Sequence, residues 1–78
     1  MSALDLIRTE LRQILADKGA TPGEVEPDTP LLNGPLDIDS LDLATLVVAL
    51  EEQTGLAPFA NGFVLFHTAG ELAQLFGD

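Results

Sequence analysis

The chain has no cysteine, no tryptophan and no tyrosine, only three cations and a single histidine among its 78 residues. Without cysteine there is neither a disulfide framework nor a thiolate metal site, so a small core must hold by packing alone, which suits a cytoplasmic helical protein. With Arg8, Arg12 and Lys18 as the only cations, no arrangement offers the basic track that phosphate backbones require, which excludes nucleic acid as a direct ligand. No apolar run approaches the roughly 18 residues of a membrane span. A net charge of -10 would be repelled by anionic headgroups, so no membrane partner is expected. The opening MSALDLIRTE places Asp5, Arg8 and Glu10 where a secretory signal keeps an apolar stretch, and no export is indicated.

What is present is acid and apolar mass. Thirteen acidic residues and 46% hydrophobic content make disorder untenable even at this charge and point to an electrostatically guided, basic partner. At this length folding buries only about 60% of the chain's surface. That leaves room for one thin core, hardly for a deep enclosed pocket, and makes a self-sufficient enzyme a poor expectation. We read residues 1–78 as a single domain and expect a monomer.

Leu4, Ile7, Leu11, Ile14 and Leu15 recur at helical spacing. They predict an amphipathic helix from Ala3 to about Lys18, capped by Ser2 and ended by Gly19, with Lys18 complementing the dipole in its last turn. The connection to about Asp39 is dense in breakers, Pro22, Gly23, Pro27, Pro30, Asn33, Gly34 and Pro35. Loops of this length are usually functional. Val25, Leu31, Leu32, Leu36 and Ile38 should pin it to the core. A second helix is predicted from about Ser40 to Thr54, stopped by Gly55. Leu43, Leu46, Val47 and Leu50 form one stripe on it, and Leu41, Ala44 and Val48 form another on roughly the opposite side. So small a protein cannot bury both stripes. The second is either covered by the long loop or exposed as a partner-binding face. Thr68 and Glu71 make a capping box for a last helix bearing Leu72, Leu75 and Phe76. Between these helices, Pro58 and Asn61-Gly62 argue for turns, while Phe59, Phe63, Val64, Leu65 and Phe66 argue for burial. A short helix or single turn is expected there, with the C-terminal third supplying most of the bulky core.

The chemically distinctive stretch is GPLDIDSLDL, Gly34 to Leu43, with Ser40 at a loop-to-helix junction flanked by Asp37, Asp39 and Asp42. A phosphate ester on Ser40 would lie near a helix N-terminus, which favours negative charge. The carboxylates discourage a serine alkoxide and supply no nitrogen base. His67, the single histidine, has no evident route to a triad, so Ser40 reads as a substrate for another enzyme's chemistry. The bland alternative is that Ser40 merely caps the helix. A calcium loop starting at Asp37 fails, because the required glycine position holds Asp42 and the final glutamate position holds Val48. No catalytic or metal-ligating residue is assigned, and His67 reads as a surface or loop residue, with lining the path of a bound group as the alternative.

Asp39-Ser40-Leu41, followed by Asp42 and an apolar helix ending Leu50-Glu51-Glu52, resembles the attachment site of acyl carrier proteins and peptidyl or aminoacyl carrier proteins. The resemblance covers nearly the whole chain and implies an all-α fold, a small four-helix bundle of three longer helices and a short third one. It implies a discrete, non-catalytic carrier that holds acyl or aminoacyl groups as thioesters on a 4'-phosphopantetheine arm at Ser40. A phosphopantetheinyl transferase would read Asp39 and Leu41. Ligases and synthases with basic docking patches, in fatty-acid, polyketide or other secondary-metabolite biosynthesis, would meet Leu41, Asp42, Ala44, Val48, Glu51 and Glu52. Two departures stand out. Asp37 and Thr45 replace the glycine and mid-helix glutamate of many fatty-acid carriers, and Phe63-Val64-Leu65-Phe66 is apolar where the third helix is usually acidic. The rival from another class is a helical interaction module whose acidic face binds a basic partner without a covalent arm; a small hydrolase is the weaker rival.

Overall fold

Helix α1, Ala3–Asp17, forms where the periodicity places it, and its start is fixed by Ser2, whose hydroxyl accepts the Asp5 N–H at 3.1 Å. The computed structural model describes residues 2–20, 24–32, 34, 36, 38–60, 62 and 64–77; Pro22, Gly23, Asn33, Pro35, Asp37, Asn61 and Phe63 lie outside them. Gly19, at φ +76°, turns the chain out of α1 through the left-handed region. The Ala20 N–H then donates back to the Leu15 carbonyl at 2.8 Å. Lys18 is therefore the residue that caps α1 and not part of its last turn, and its ammonium serves a different element. Helix α2 spans Ser40–Thr54 and ends at Gly55. Helix α3, Ala69–Leu75, starts from Thr68, which exchanges hydrogen bonds with Glu71 in the expected capping box.

Helix α1 is the common wall. It packs against both α2 and α3, which among the described residues do not pack against each other. Ile7, Leu11 and Leu15 of α1 meet Leu46 and Leu50 of α2 and Leu72 of α3 in the buried centre. Each such leucine or isoleucine contributes about 1.5–3 kcal/mol by leaving water. The long connection is an integral part of this core, as its apolar residues imply. Val25, Leu31 and Leu36 are buried, Leu32 and Ile38 half-buried. Arg8 Nε donates to the Val25 carbonyl at 2.8 Å. Pro30 and Thr68 form an isolated bridge in which the Leu31 N–H donates to the His67 carbonyl at 2.9 Å and the Ala69 N–H to the Thr29 carbonyl at 3.0 Å. The loop is thus sewn to the start of α3.

Two expectations are revised. The described residues contain three helices and not four. In place of the short third helix the described residues of this segment show turns, the other content the sequence allowed there, in which the Ala60 N–H donates to the Ala57 carbonyl and the Gly62 N–H to the Phe59 carbonyl. Pro58 and Gly62 fit such turns better than a continuing ladder. The last helix is also short, at 7 residues. Nor does the C-terminal third supply most of the bulky core. Phe66 and Phe76 are buried, but Phe59 is half-buried and Val64 and Leu65 are exposed, while the largest fully buried side chains come mainly from α1 and α2. Without a helical period, consecutive apolar residues cannot all face one way.

Gly70 allows the closest approach of loop and helix. Its N–H donates to the Pro27 carbonyl at 2.7 Å, and a Cβ there would stand 2.6 Å from the same oxygen. Alanine in place of a helical glycine ordinarily stabilises by about 1 kcal/mol. Here Gly70→Ala is expected to reverse the sign and destabilise by about 1–3 kcal/mol in urea unfolding, through overpacking. The Glu71 carboxylate is held below the usual range by the N–H groups of His67 and then Thr68. A carboxylate with a lowered native pKa contributes stability that is present above the ordinary carboxylate range and lost as pH falls through the native value. Glu71→Gln is expected to flatten that acid limb of the stability–pH curve.

Candidate functional site

The chain enters α2 at Asp39, in extended backbone, and it is Asp39 that caps the helix. Its Oδ1 accepts the Asp42 N–H at 2.9 Å, and Asp42 Oδ2 accepts the Asp39 N–H at 3.1 Å. This is a capping box made of two aspartates. The same Asp42 oxygen accepts a hydrogen bond from Lys18 Nζ at 2.7 Å. The Lys18 ammonium and the Asp39 N–H hold the Asp42 carboxyl below its usual range. Ser40 is the first residue of the helix and is exposed. Among the described residues its hydroxyl neither caps α2 nor meets His67 in a hydrogen bond. His67 itself donates its backbone N–H to Glu71, so the carboxylate nearest in the chain is engaged in the α3 capping box. That is no arrangement for a triad.

The two stripes of α2 part company. Leu46 and Leu50 are fully buried and Leu43 and Val47 half-buried, whereas Leu41 is 74% exposed, Val48 52% exposed, and Ala44 exposed with them. The loop does not cover the second stripe. An apolar groove of about 810 Å³ opens alongside, with Ser40, Leu43, Ala44, Val47 and Val48 of α2 on one side. Pro30, Leu31 and Leu32 of the loop and Phe59, Leu65, Phe66 and His67 form the rest. The Phe59 and Phe66 rings lie 5.8 Å apart, centroid to centroid, in a tilted pair. Among the described residues α2 and α3 each pack against α1 and not against each other, and the groove is bounded by α2, the loop and residues of the segment before α3.

The residues singled out from the sequence thus fall into distinct positions. Leu41, Ala44 and Val48 share an exposed face with Ser40 at its N-terminal end. Asp39 and Asp42 are occupied in building the turn, Asp42 being the more covered. Glu52 is exposed and Glu51 half-buried, about 17 Å along the helix axis from Ser40 at 1.5 Å per residue. Asp37 lies outside the described residues. No group of side chains able to hold a metal ion occurs among the described residues, and no helix of the model is long and apolar enough to cross a membrane. Sequence reasoning missed three things. Lys18 reaches across to Asp42, a contact no local pattern signals. Asp39 is the cap, although the spacing Asp39-x-x-Asp42 is itself a capping-box signature. Phe66, read as core, also lines the groove of Ser40, which His67, exposed as a surface or loop residue should be, lines as well.

An exposed, uncommitted hydroxyl at the positive end of a helix, beside an apolar groove, fits a phosphate-linked prosthetic arm. The chain matches the family model described as the phosphopantetheine attachment site over residues 9–76. No curated protein matches it, and no solved structure does. The matched span takes in all three helices apart from the first turns of α1, together with the Ser40 turn and the groove, and that family attaches 4'-phosphopantetheine as its prosthetic group. The chain therefore belongs to the phosphopantetheine-attachment family of carrier domains.

Proposed function

We propose that residues 1–78 form a single, non-catalytic carrier domain with Ser40 as its attachment residue, handling apolar acyl groups for a phosphopantetheinyl transferase and for ligases or synthases with basic docking patches. The observation that carries this reading is the division of labour at the start of α2: Asp39 caps the helix, and Ser40 is left exposed with its hydroxyl at the edge of the groove. Attachment forms a bond from Ser40 Oγ to the β-phosphorus of coenzyme A and breaks its phosphoanhydride link. The adenosine 3',5'-bisphosphate leaves with the electron pair, and the hydroxyl proton passes to a base of the transferase. Once attached, the arm supplies a terminal thiol that holds the cargo as a thioester and raises its effective concentration at each docked enzyme.

The groove favours an acyl cargo over a charged aminoacyl one, because its lining side chains are almost all apolar and a buried ammonium would have no partner there. For docking, the exposed Leu41, Ala44 and Val48 offer a small apolar centre. Glu51 and Glu52 supply charge at the far end of the helix. Such contacts are transient and weaken with salt. Synthases of fatty-acid, polyketide or related pathways, and acyl ligases, are the partner class this surface fits.

Incubation with coenzyme A and a broad-specificity transferase is expected to add one phosphopantetheine mass to the wild-type protein and none to Ser40→Ala. No gain in the wild type, or a gain that survives Ser40→Ala, contradicts the assignment and favours the arm-free interaction module. Ser40→Ala is expected to change folding stability by less than about 0.5 kcal/mol, against about 0.5–2 kcal/mol lost on Asp39→Ala. Reversing Glu51 and Glu52 to lysine should raise the KM of partner enzymes several-fold with little change in Tm; a purely thermal effect speaks against docking there.

A further inference from the structure

The N-terminal turn of α2 has little packing of its own. Asp39, Ser40 and Leu41 are exposed, Ile38 before them is half-buried, and Leu43 after them is half-buried. Helix ends held this way fray unless side chains satisfy their amides. The reciprocal Asp39–Asp42 bonds do that locally. Ile38 and Leu43 on either side of the turn pack against the core, and the 2.7 Å contact from Lys18 Nζ to Asp42 Oδ2, across 24 residues of sequence, ties the turn itself to the end of α1. The Lys18 end of this clip is itself anchored. Its backbone N–H donates to the carbonyls of Ile14 and Leu15 at 3.2 Å, the preceding turn ends on the buried Leu15, and Gly19 and the Ala20 N–H close the helix behind it. Asp42 Oδ2 is the atom common to the clip and to the capping box.

Resting on the carrier reading, we propose that Lys18 is a positioning residue for arm attachment: through Asp42 and then Asp39 it holds the first turn of α2 so that Ser40 Oγ is presented for attack on coenzyme A. This gives Asp42 an internal job. The acids near Ser40 build the turn, and the docking charge sits further along the helix. A clip of this kind acts after the transferase has bound, by raising the fraction of bound protein whose hydroxyl is correctly placed, so it belongs in kcat and not in KM.

The test is steady-state attachment, followed by intact mass, with the full chain, coenzyme A and a transferase. Lys18→Gln is expected to lower kcat about fivefold, the scale of losing one exposed charge pair, with KM unchanged. Asp42→Asn is expected to do the same, the double variant to be no slower than either single one, and Lys18→Arg to restore most of the rate. In the unmodified protein, amide exchange at Asp42 and Leu43 should quicken in Lys18→Gln while that of Leu46 and Leu50 does not. A wild-type kcat in Lys18→Gln overturns the proposal, and so does a rise in KM alone on Asp42→Asn, which would make Asp42 a docking contact. Failure of the wild-type chain to gain mass overturns the carrier reading instead, and the two failures are told apart by the wild-type control.

Discussion

Helix α2 carries two apolar stripes, and among the described residues only one helical wall packs against it. That wall is α1, which also takes α3. Once Leu46 and Leu50 are spent against Ile7, Leu11 and Leu15, nothing of helical length remains to cover Leu41, Ala44 and Val48. Fully exposing a leucine forgoes about 1.5–3 kcal/mol, a large amount against the few kcal/mol that a single core of this size supplies. The stability forgone at Leu41 and Val48 is available to a partner that covers them. The working surface is thus what the packing leaves over, and Ser40 stands at its end.

Phe59, Leu65 and Phe66, from the segment before α3, line the groove together with α2 and the loop. The loop that forms the remaining side is held by backbone bonds to the start of α3 and by Arg8. The groove therefore rests on a sutured frame. Ala44 and Val48 belong both to its lining and to the exposed face of α2, so the groove and that face are continuous.

Much of this was legible in the residues. The bounds of α1 and α2, the cap at Thr68 and the pinning of the loop follow from periodicity and capping chemistry, which are local. The two stripes of α2 were legible too, but which would be covered depends on where the loop goes, a tertiary matter. What could not be read is also tertiary. The Lys18–Asp42 contact joins residues 24 apart. The exposure of Val64 and Leu65 reflects a backbone without helical period, against a composition that argues for burial. The Asp39 cap is a different case, since its signature, Asp39-x-x-Asp42, stands in the sequence itself. With Asp39 as the cap, the Ser40 hydroxyl takes no part in the capping box.

The central claim, that the unburied face of α2 is the face the protein works with, is tested most directly by titrating the isotope-labelled chain with a phosphopantetheinyl transferase and mapping amide shifts. The account predicts that the perturbed amides cluster at Ser40, Leu41, Ala44 and Val48, with Ile7, Leu11 and Leu72 unmoved. Perturbations centred on the outer faces of α1 or α3, with Leu41 and Val48 silent, would contradict it.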